Sequence, residues 1–348
     1  GGHQNNNNPG TYVRDNVNVT IGNNSVQTTP RIEGNVYGGS AFGTVNGTTE
    51  NGSFTNSKST NVTVNKGVIV NNVFGGSKGG IVSNVTYTPK EYGAITVTIN
   101  GGSIGKVFGG NDLVGSPSGT DKVYLNGGTI GNAFGGGNNT GQTTTNIYLQ
   151  GSTISNNIYG GSNESGNITT SNVTVTAGTV HNIFGANNIG GNTTTTNVNV
   201  SGATTNQSIY GGGNEVGAGT TNVSVTGGTI REFVFGGSNQ LGTVTETNVT
   251  IDTSQHLVGV YGGNNAGGNT VTANVLIEDG NIDSVYGGGY KAVTGSTNVE
   301  VTTGTITDLF GGGNYAAVTE TDVEINDGTF GNVYGGGNRA DVQTNTGL

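Results

Sequence analysis

The strongest constraint on this chain is an internal repeat. An aliphatic residue, then Tyr or Phe, then Gly-Gly or a near variant recurs with its aromatic at Tyr37, Phe74, Phe108, Phe134, Tyr159, Phe184, Tyr210, Phe235, Tyr261, Tyr286, Phe310 and Tyr334. The first two spacings are 37 and 34 residues and the other nine run from 24 to 26, so a period near 25 holds over 226 residues. A fixed period of this size marks a repeat architecture, in which one unit cannot bury its apolar face alone and must stack on its neighbours.

Inside each period the grammar is constant. In the stretch 172–184, Val173 and Val175 alternate with polar residues, the period-2 signature of a strand with one buried face. Ala177-Gly178 turns the chain, Val180 and Ile183 bury again, and Phe184-Gly185 turns the next corner. The same order returns at 222–235, 274–286, 298–310 and 322–334. No segment carries a helix-length apolar stripe, so each unit is strands and corners only. Parallel strand crossovers are right-handed in about 98% of cases. The predicted fold is therefore all-β, a right-handed parallel β-helix (β-solenoid) of about twelve three-sided coils of about 25 residues. One solenoid is expected over 1–348, with an irregular N-terminal opening coil at 1–36, coils with expanded loops at 37–122 and regular coils at 123–348.

Composition agrees with this reading. There are 69 glycines, charged residues make up 9%, and Asn, Thr and Val dominate the remainder. Gly and Asn suit turns, while Val, Ile, Thr, Tyr and Phe suit strands. Apolar residues in fixed positions argue against a disordered chain of the same composition. The absence of Cys excludes disulfides and thiolate metal sites. The net charge of −10 is uneven: eight basic and six acidic residues give +2 over 1–122, and three against fifteen give −12 over 123–348. A surface this acidic over most of its length disfavours nucleic acid and anionic membranes. No apolar run approaches the roughly 20 residues of a membrane helix, so membrane insertion is not expected. With no initiator Met and with residues 341–348 starting a further coil, the chain reads as a processed product or an excerpt of something longer.

Three columns run through the repeat. Gly follows the aromatic in all twelve anchors, whereas the next position accepts Ala186. The first is expected to need φ > 0 or to have no room for a Cβ, and the second to need only a small residue. Four residues after the aromatic stand Asn138, Asn163, Asn188, Asn214, Asn239, Asn265, Asn314 and Asn338. A second column, Asn61, Asn146, Asn172, Asn197, Asn222, Asn248, Asn274 and Asn298, precedes the buried Val. Asn tolerates left-handed geometry, and stacked amides hydrogen-bond rung to rung, so both columns read as structural. The aromatic column, six Tyr and six Phe, leaves two readings open. It is a stacked corner of the core with ring tips near solvent, or an exposed stripe for sugars or lateral assembly.

Catalytic motifs are mostly rejected. A polysaccharide-active site would need converging carboxylates with a basic residue on one face, but Lys106, Lys122, Arg231, Lys291 and Arg339 occupy different positions in their coils. His3, His181 and His256 share no phase, so no triad or zinc set assembles. Gly-rich strings such as 135–141 lack a following helix, which leaves a phosphate loop unsupported. Glu300 and Glu324 fall at equivalent positions in successive coils, with Glu320 and Asp322 nearby, and form a weak cation candidate against a solvated acidic face. No cofactor is expected, and the chain reads as a non-enzyme. The expanded connections 41–60, 77–93 and 111–120 leave from one corner and should cluster on one side. They carry Phe42, Phe54, Tyr87 and Tyr92 as candidate binding residues, with Lys78, Lys90 and Glu91. Insertions on one face of a repeat fold mark a binding face or a lateral cap.

The phrase Thr221-Asn-Val-Ser-Val-Thr-Gly-Gly-Thr-Ile230, followed by Val234-Phe-Gly-Gly-Ser-Asn239, resembles repeats of large secreted or wall-anchored bacterial surface proteins, the β-helix adhesin or stalk class. The likeness covers about residues 12 to 348 and implies an extracellular, cell-surface location. The expected function is a structural or adhesive module of a surface protein or extracellular fibre. Its partners would be other copies stacking head to tail, or a host or matrix glycan or protein. A polysaccharide lyase or hydrolase is the alternative. Ice binding is a third reading, weakened by the varied outward residues Thr63, Tyr124, Thr174, Asn199, Ser224, Thr250, Leu276 and Glu300.

Overall fold

The computed structural model of the protein describes residues 12–46, 48–50, 53–55 and 57–343. Residues 1–11 of the expected opening coil, His3 among them, and residues 344–348 lie outside these. The chain forms two compact units, Gly1–Thr179 and Val180–Leu348. Each is an all-β parallel β-solenoid.

In the first unit, one wall is a parallel ladder of strands Val17–Ile21, Thr60–Val64, Ile95–Ile99, Thr120–Leu125 and Gln142–Ile154. The register puts like on like: Val19, Val62, Val97, Val123, Ile147 and Val173 are successive Cα partners, and from Val62 onward none is exposed. The alternate residues Thr63, Thr98, Tyr124 and Tyr148 point outward, because a strand turns successive side chains to opposite faces. A second wall stacks Ile69, Ile104, Ile130 and Ile154 into the same core. The second unit repeats the pattern with Val198, Val223, Val249, Val275 and Val299 in register. Each fully buried aliphatic contributes about 1.5–3 kcal/mol.

Two kinds of glycine shape the corners. After the first wall, Gly102 (φ 101) and Gly128 (φ 83) turn through the left-handed region, where a side chain would be strained. The glycines after the aromatics do not use that region. A Cβ on Gly109 would collide with the carbonyl oxygen of Gly135, and one on Gly211 with that of Gly236. Of the two reasons expected for this column, close approach of neighbouring coils is the one at work.

From Phe74 to Phe310 the aromatic rings pack inside, with Tyr37 half-buried and Tyr334 45% exposed at the two ends of the column, which sets aside a continuous exposed stripe. Phe74, Phe108, Phe134 and Tyr159 are at most 4% exposed, and in the second unit Phe184 through Phe310 are at most 7% exposed. Tyr37, Phe74, Phe108, Phe134 and Tyr159 stack with centroids 4.6–5.1 Å apart. Phe184, Tyr210, Phe235, Tyr261, Tyr286, Phe310 and Tyr334 do the same at 4.7–5.1 Å. Free aromatic pairs favour offset or edge-on contact. Here the ~4.8 Å strand spacing holds every ring nearly parallel to the next.

The Asn columns bond along the ladder. Asn163 donates to Asn138 (2.8 Å), Asn214 to Asn188 (3.1 Å), Asn239 to Asn214 (2.9 Å), Asn265 to Asn239 (2.8 Å) and Asn338 to Asn314 (3.0 Å). Asn172 donates to Asn146 (3.0 Å), and Asn222, Asn248 and Asn274 continue the other column at 2.9–3.1 Å. Left-handed backbone is not their reason, since none of them is among the positive-φ residues. Amide pairing runs along the columns, joined by bonds such as Asn314 to Tyr261 Oη at 3.2 Å.

Candidate binding surface

The expanded connections of the first unit build a side structure of their own. Thr44–Val45 pairs in parallel with Tyr12–Val13 and with Lys90–Glu91, which pairs with Ser116–Pro117. All three insertions therefore contribute one short strand to a common four-stranded sheet. Two antiparallel hairpins extend from them, Thr48–Glu50 with Ser53–Thr55 and Gly80–Val82 with Val85–Tyr87.

Of the four candidate residues, the structure brings Phe42 and Tyr87 together, with ring centroids 5.2 Å apart and tilted at 49°. Lys78 lies over the Phe42 ring at 5.9 Å, a cation–π distance. Both rings are half-buried. Tyr92 is also half-buried, anchored by its backbone N–H donating to the Val45 carbonyl at 3.2 Å, and burial raises its pKa. Phe54 lies on its hairpin strand, but its side chain is outside the described residues. The hairpin exposes Val85 (41%) on the face of Tyr87 and Ile81 (71%) on its other face, and Leu113 (41%) stands opposite Gly80. A cluster of exposed apolar groups with aromatic faces and one cation is the surface type that takes a partner.

The acidic pair is less eventful. Glu300 and Glu324 are Cα partners on adjacent strands. Glu324 is exposed, and Glu300 accepts from Asn326 at 3.5 Å. Among the described residues no three His, Cys, Asp or Glu side chains group as metal ligands, and no helix is long and apolar enough to cross a membrane.

Sequence reasoning missed a second acidic pair. Glu91 and Asp121 are both fully buried. Glu91 Oε2 accepts from Asn111 Nδ2 at 2.8 Å, and Asp121 Oδ1 accepts from Gln142 Nε2 at 2.8 Å. Burial pushes both pKa values up, Asp121 to about 8, with the Glu91 charge adding to the rise. Asp121 was detectable: in Asp121-x-Val123-x-Leu125 it occupies an inward position that Thr145 fills in the next coil. Glu91 sits in an insertion with no repeat to compare against. Also missed were Lys291 over Tyr290 and Arg339 over Tyr315 in the second unit, each 5.3 Å from the ring centroid.

Compared with family models, with curated proteins and with solved structures, the chain matches none. What defines it is the class its fold belongs to, the parallel β-solenoids.

Proposed function

We propose that this protein is a non-catalytic structural and adhesive module of a bacterial surface protein or extracellular fibre. Its contact surface would be the expanded side of the first unit. The observation that carries this reading is the patch of Phe42, Tyr87 and Val85 with Lys78, presented by insertions that share a sheet. The partner would be a host or matrix glycan or protein, met by aromatic faces and one cation. A winding that is right-handed and three-sided, with about twelve coils, goes with this proposal, supported by the handedness of parallel crossovers.

The enzymatic alternative has less behind it. The acids Glu91 and Asp121 are closed from solvent, out of reach of a polymer. Incubation with pectin or alginate is expected to release no unsaturated sugars. Release that disappears on mutating Lys106 or Lys122 would overturn the non-catalytic reading.

Binding of the full chain to immobilised matrix proteins and glycan arrays tests the adhesive reading. Phe42→Ala with Tyr87→Ala should weaken binding about 10- to 30-fold or more, because central aromatic anchors carry about 2 kcal/mol or more at an interface. Binding that is unchanged in the double variant would remove this surface from the proposal.

A further inference from the structure

Among the described residues, three buried side-chain oxygens lack a hydrogen-bond partner: Asn46 Oδ1, Glu91 Oε1 and Asp121 Oδ2. They share one neighbourhood. Val45 is the Cα partner of Glu91, and Asn46 Nδ2 donates to Thr60 Oγ1 at 2.5 Å. Thr60, Ile95 and Asp121 are successive partners on the adjoining wall. All three atoms are acceptors if the carboxyls are ionised, and neither acid is in a described salt bridge. A buried carboxylate without compensation does not persist, so a proton or a cation must offset the charge.

A single cation held by all three oxygens does not fit the ladder. The strands of Thr60 and Asp121 are two rungs apart, about 9.6 Å at parallel-strand spacing. A cation such as calcium needs its oxygens within about 2.6 Å of itself.

Protons do fit. At the position of Asp121, most other coils carry threonine, and one carries Ser171. The hydroxyls of Thr145, Thr196, Thr221, Thr247 and Thr297 donate to the carbonyl of the glycine after the aromatic, at 2.6–2.7 Å. Ile95 and Ala273 interrupt the column and cannot donate. For Asp121 the equivalent carbonyl is that of Gly135. A Cβ on Gly109 would collide with that oxygen, and a Cβ on Gly110 would meet Asp121 Oδ2 at 2.8 Å, so both atoms lie at one corner.

We propose that Asp121 and Glu91 are neutral carboxylic acids, Asp121 donating through Oδ2 to the Gly135 carbonyl and Glu91 through Oε1 to Asn46 Oδ1. One proton closes a bond between two expanded connections, Glu91 to Asn46, whose Nδ2 donates to Thr60 on the wall, and the other closes a bond within the coil itself, Asp121 to Gly135. The two protons convert two orphan acceptors into donors and supply the third with its donor. The raised pKa values of both acids agree with this assignment.

The surrounding groups carry no charge. Ser77 and Asn111, which hydrogen-bond Glu91, and Thr60, Ile95, Gln142 and Thr145 on the neighbouring strands do not titrate. Alternation turns Lys90 and Lys122 to the opposite faces of their strands. Asp112, on the adjoining corner, accepts from Tyr37 Oη at 2.8 Å and from Asn138 at 3.3 Å. Lys78 sits over Phe42, and Tyr92 is anchored in the side sheet.

The direction of the pH effect follows. The folded chain holds protons that the unfolded chain releases above an ordinary Asp value of 3.8. The opening equilibrium constant therefore rises by up to about tenfold per pH unit for each acid. For Asp121 the rise spans that value to about 8 and levels off beyond.

Hydrogen exchange of the full chain, corrected for intrinsic rates, tests this over amides 90–125 across that pH range. Protection in the wild type should fall as pH rises, and an infrared carboxylic-acid C=O band should fade with it. Asp121→Thr, which restores the hydroxyl of the column, should lose protection less steeply as pH rises, with Glu91 alone still titrating, and lose the Asp share of the band. Protection independent of pH, or no acid band at neutral pH, overturns the proposal. Protection that depends on added calcium and is lost to a chelator identifies a cation instead, and overturns it too. If Asp121→Thr does not fold, the wild-type infrared titration decides alone.

Discussion

Phe235→Ala is expected to destabilise the unit Val180–Leu348 by about 3–5 kcal/mol, the range for truncating a buried aromatic. Phe235 is 1% exposed. Its ring lies between Tyr210 at 5.1 Å and Tyr261 at 4.8 Å, with Phe233 edge-on at 6.0 Å. Truncation leaves a void that these rings cannot fill, because each is held by its own rung. Each lost ring contact adds about 0.5–1.5 kcal/mol to the burial cost. Urea denaturation followed by circular dichroism measures the change. A loss under about 1 kcal/mol would mean that the column is not the core it is taken to be.

Gly211→Ala should cost about 1–3 kcal/mol or more, the cost of forcing extra atoms into a packed interior. The added methyl would collide with the Gly236 carbonyl oxygen and approach Val223 Cγ2 to 2.9 Å. A backbone oxygen cannot rotate away, so two coils would have to separate locally. Gly212→Ala is the control. Its methyl meets chiefly Ser238 Oγ, the end of a side chain, and the equivalent position already holds Ala186. The first variant should lower the denaturation midpoint clearly and the second only slightly. Equal effects would contradict close coil approach as the reason for the invariant glycine column.

The candidate surface was partly legible. That the insertions 41–60, 77–93 and 111–120 leave from one corner could be counted from the repeat, and their strands do share a sheet. Which aromatics meet could not be counted, because an insertion has no period. Phe42 meets Tyr87, whereas Tyr92 is anchored separately in the side sheet. The buried acids show the same division. Asp121 breaks a column of threonines within the sequence, but Glu91 becomes notable only once its strand is paired with Val45.

By itself, the sequence determined the strands, their stacking and the inward face of each. A period near 25 and a strand period of 2 are local properties, and only parallel coils satisfy both. The tertiary structure decided what depends on distance across rungs. It showed that the glycines answer a neighbouring carbonyl rather than their own dihedral angle, and that the rings stack inside. It also left Glu91 and Asp121 in a dry place where one oxygen of each carboxyl has no hydrogen-bond partner. Those facts arise between residues a coil or more apart, where burial and close approach set the energy and no local pattern records it.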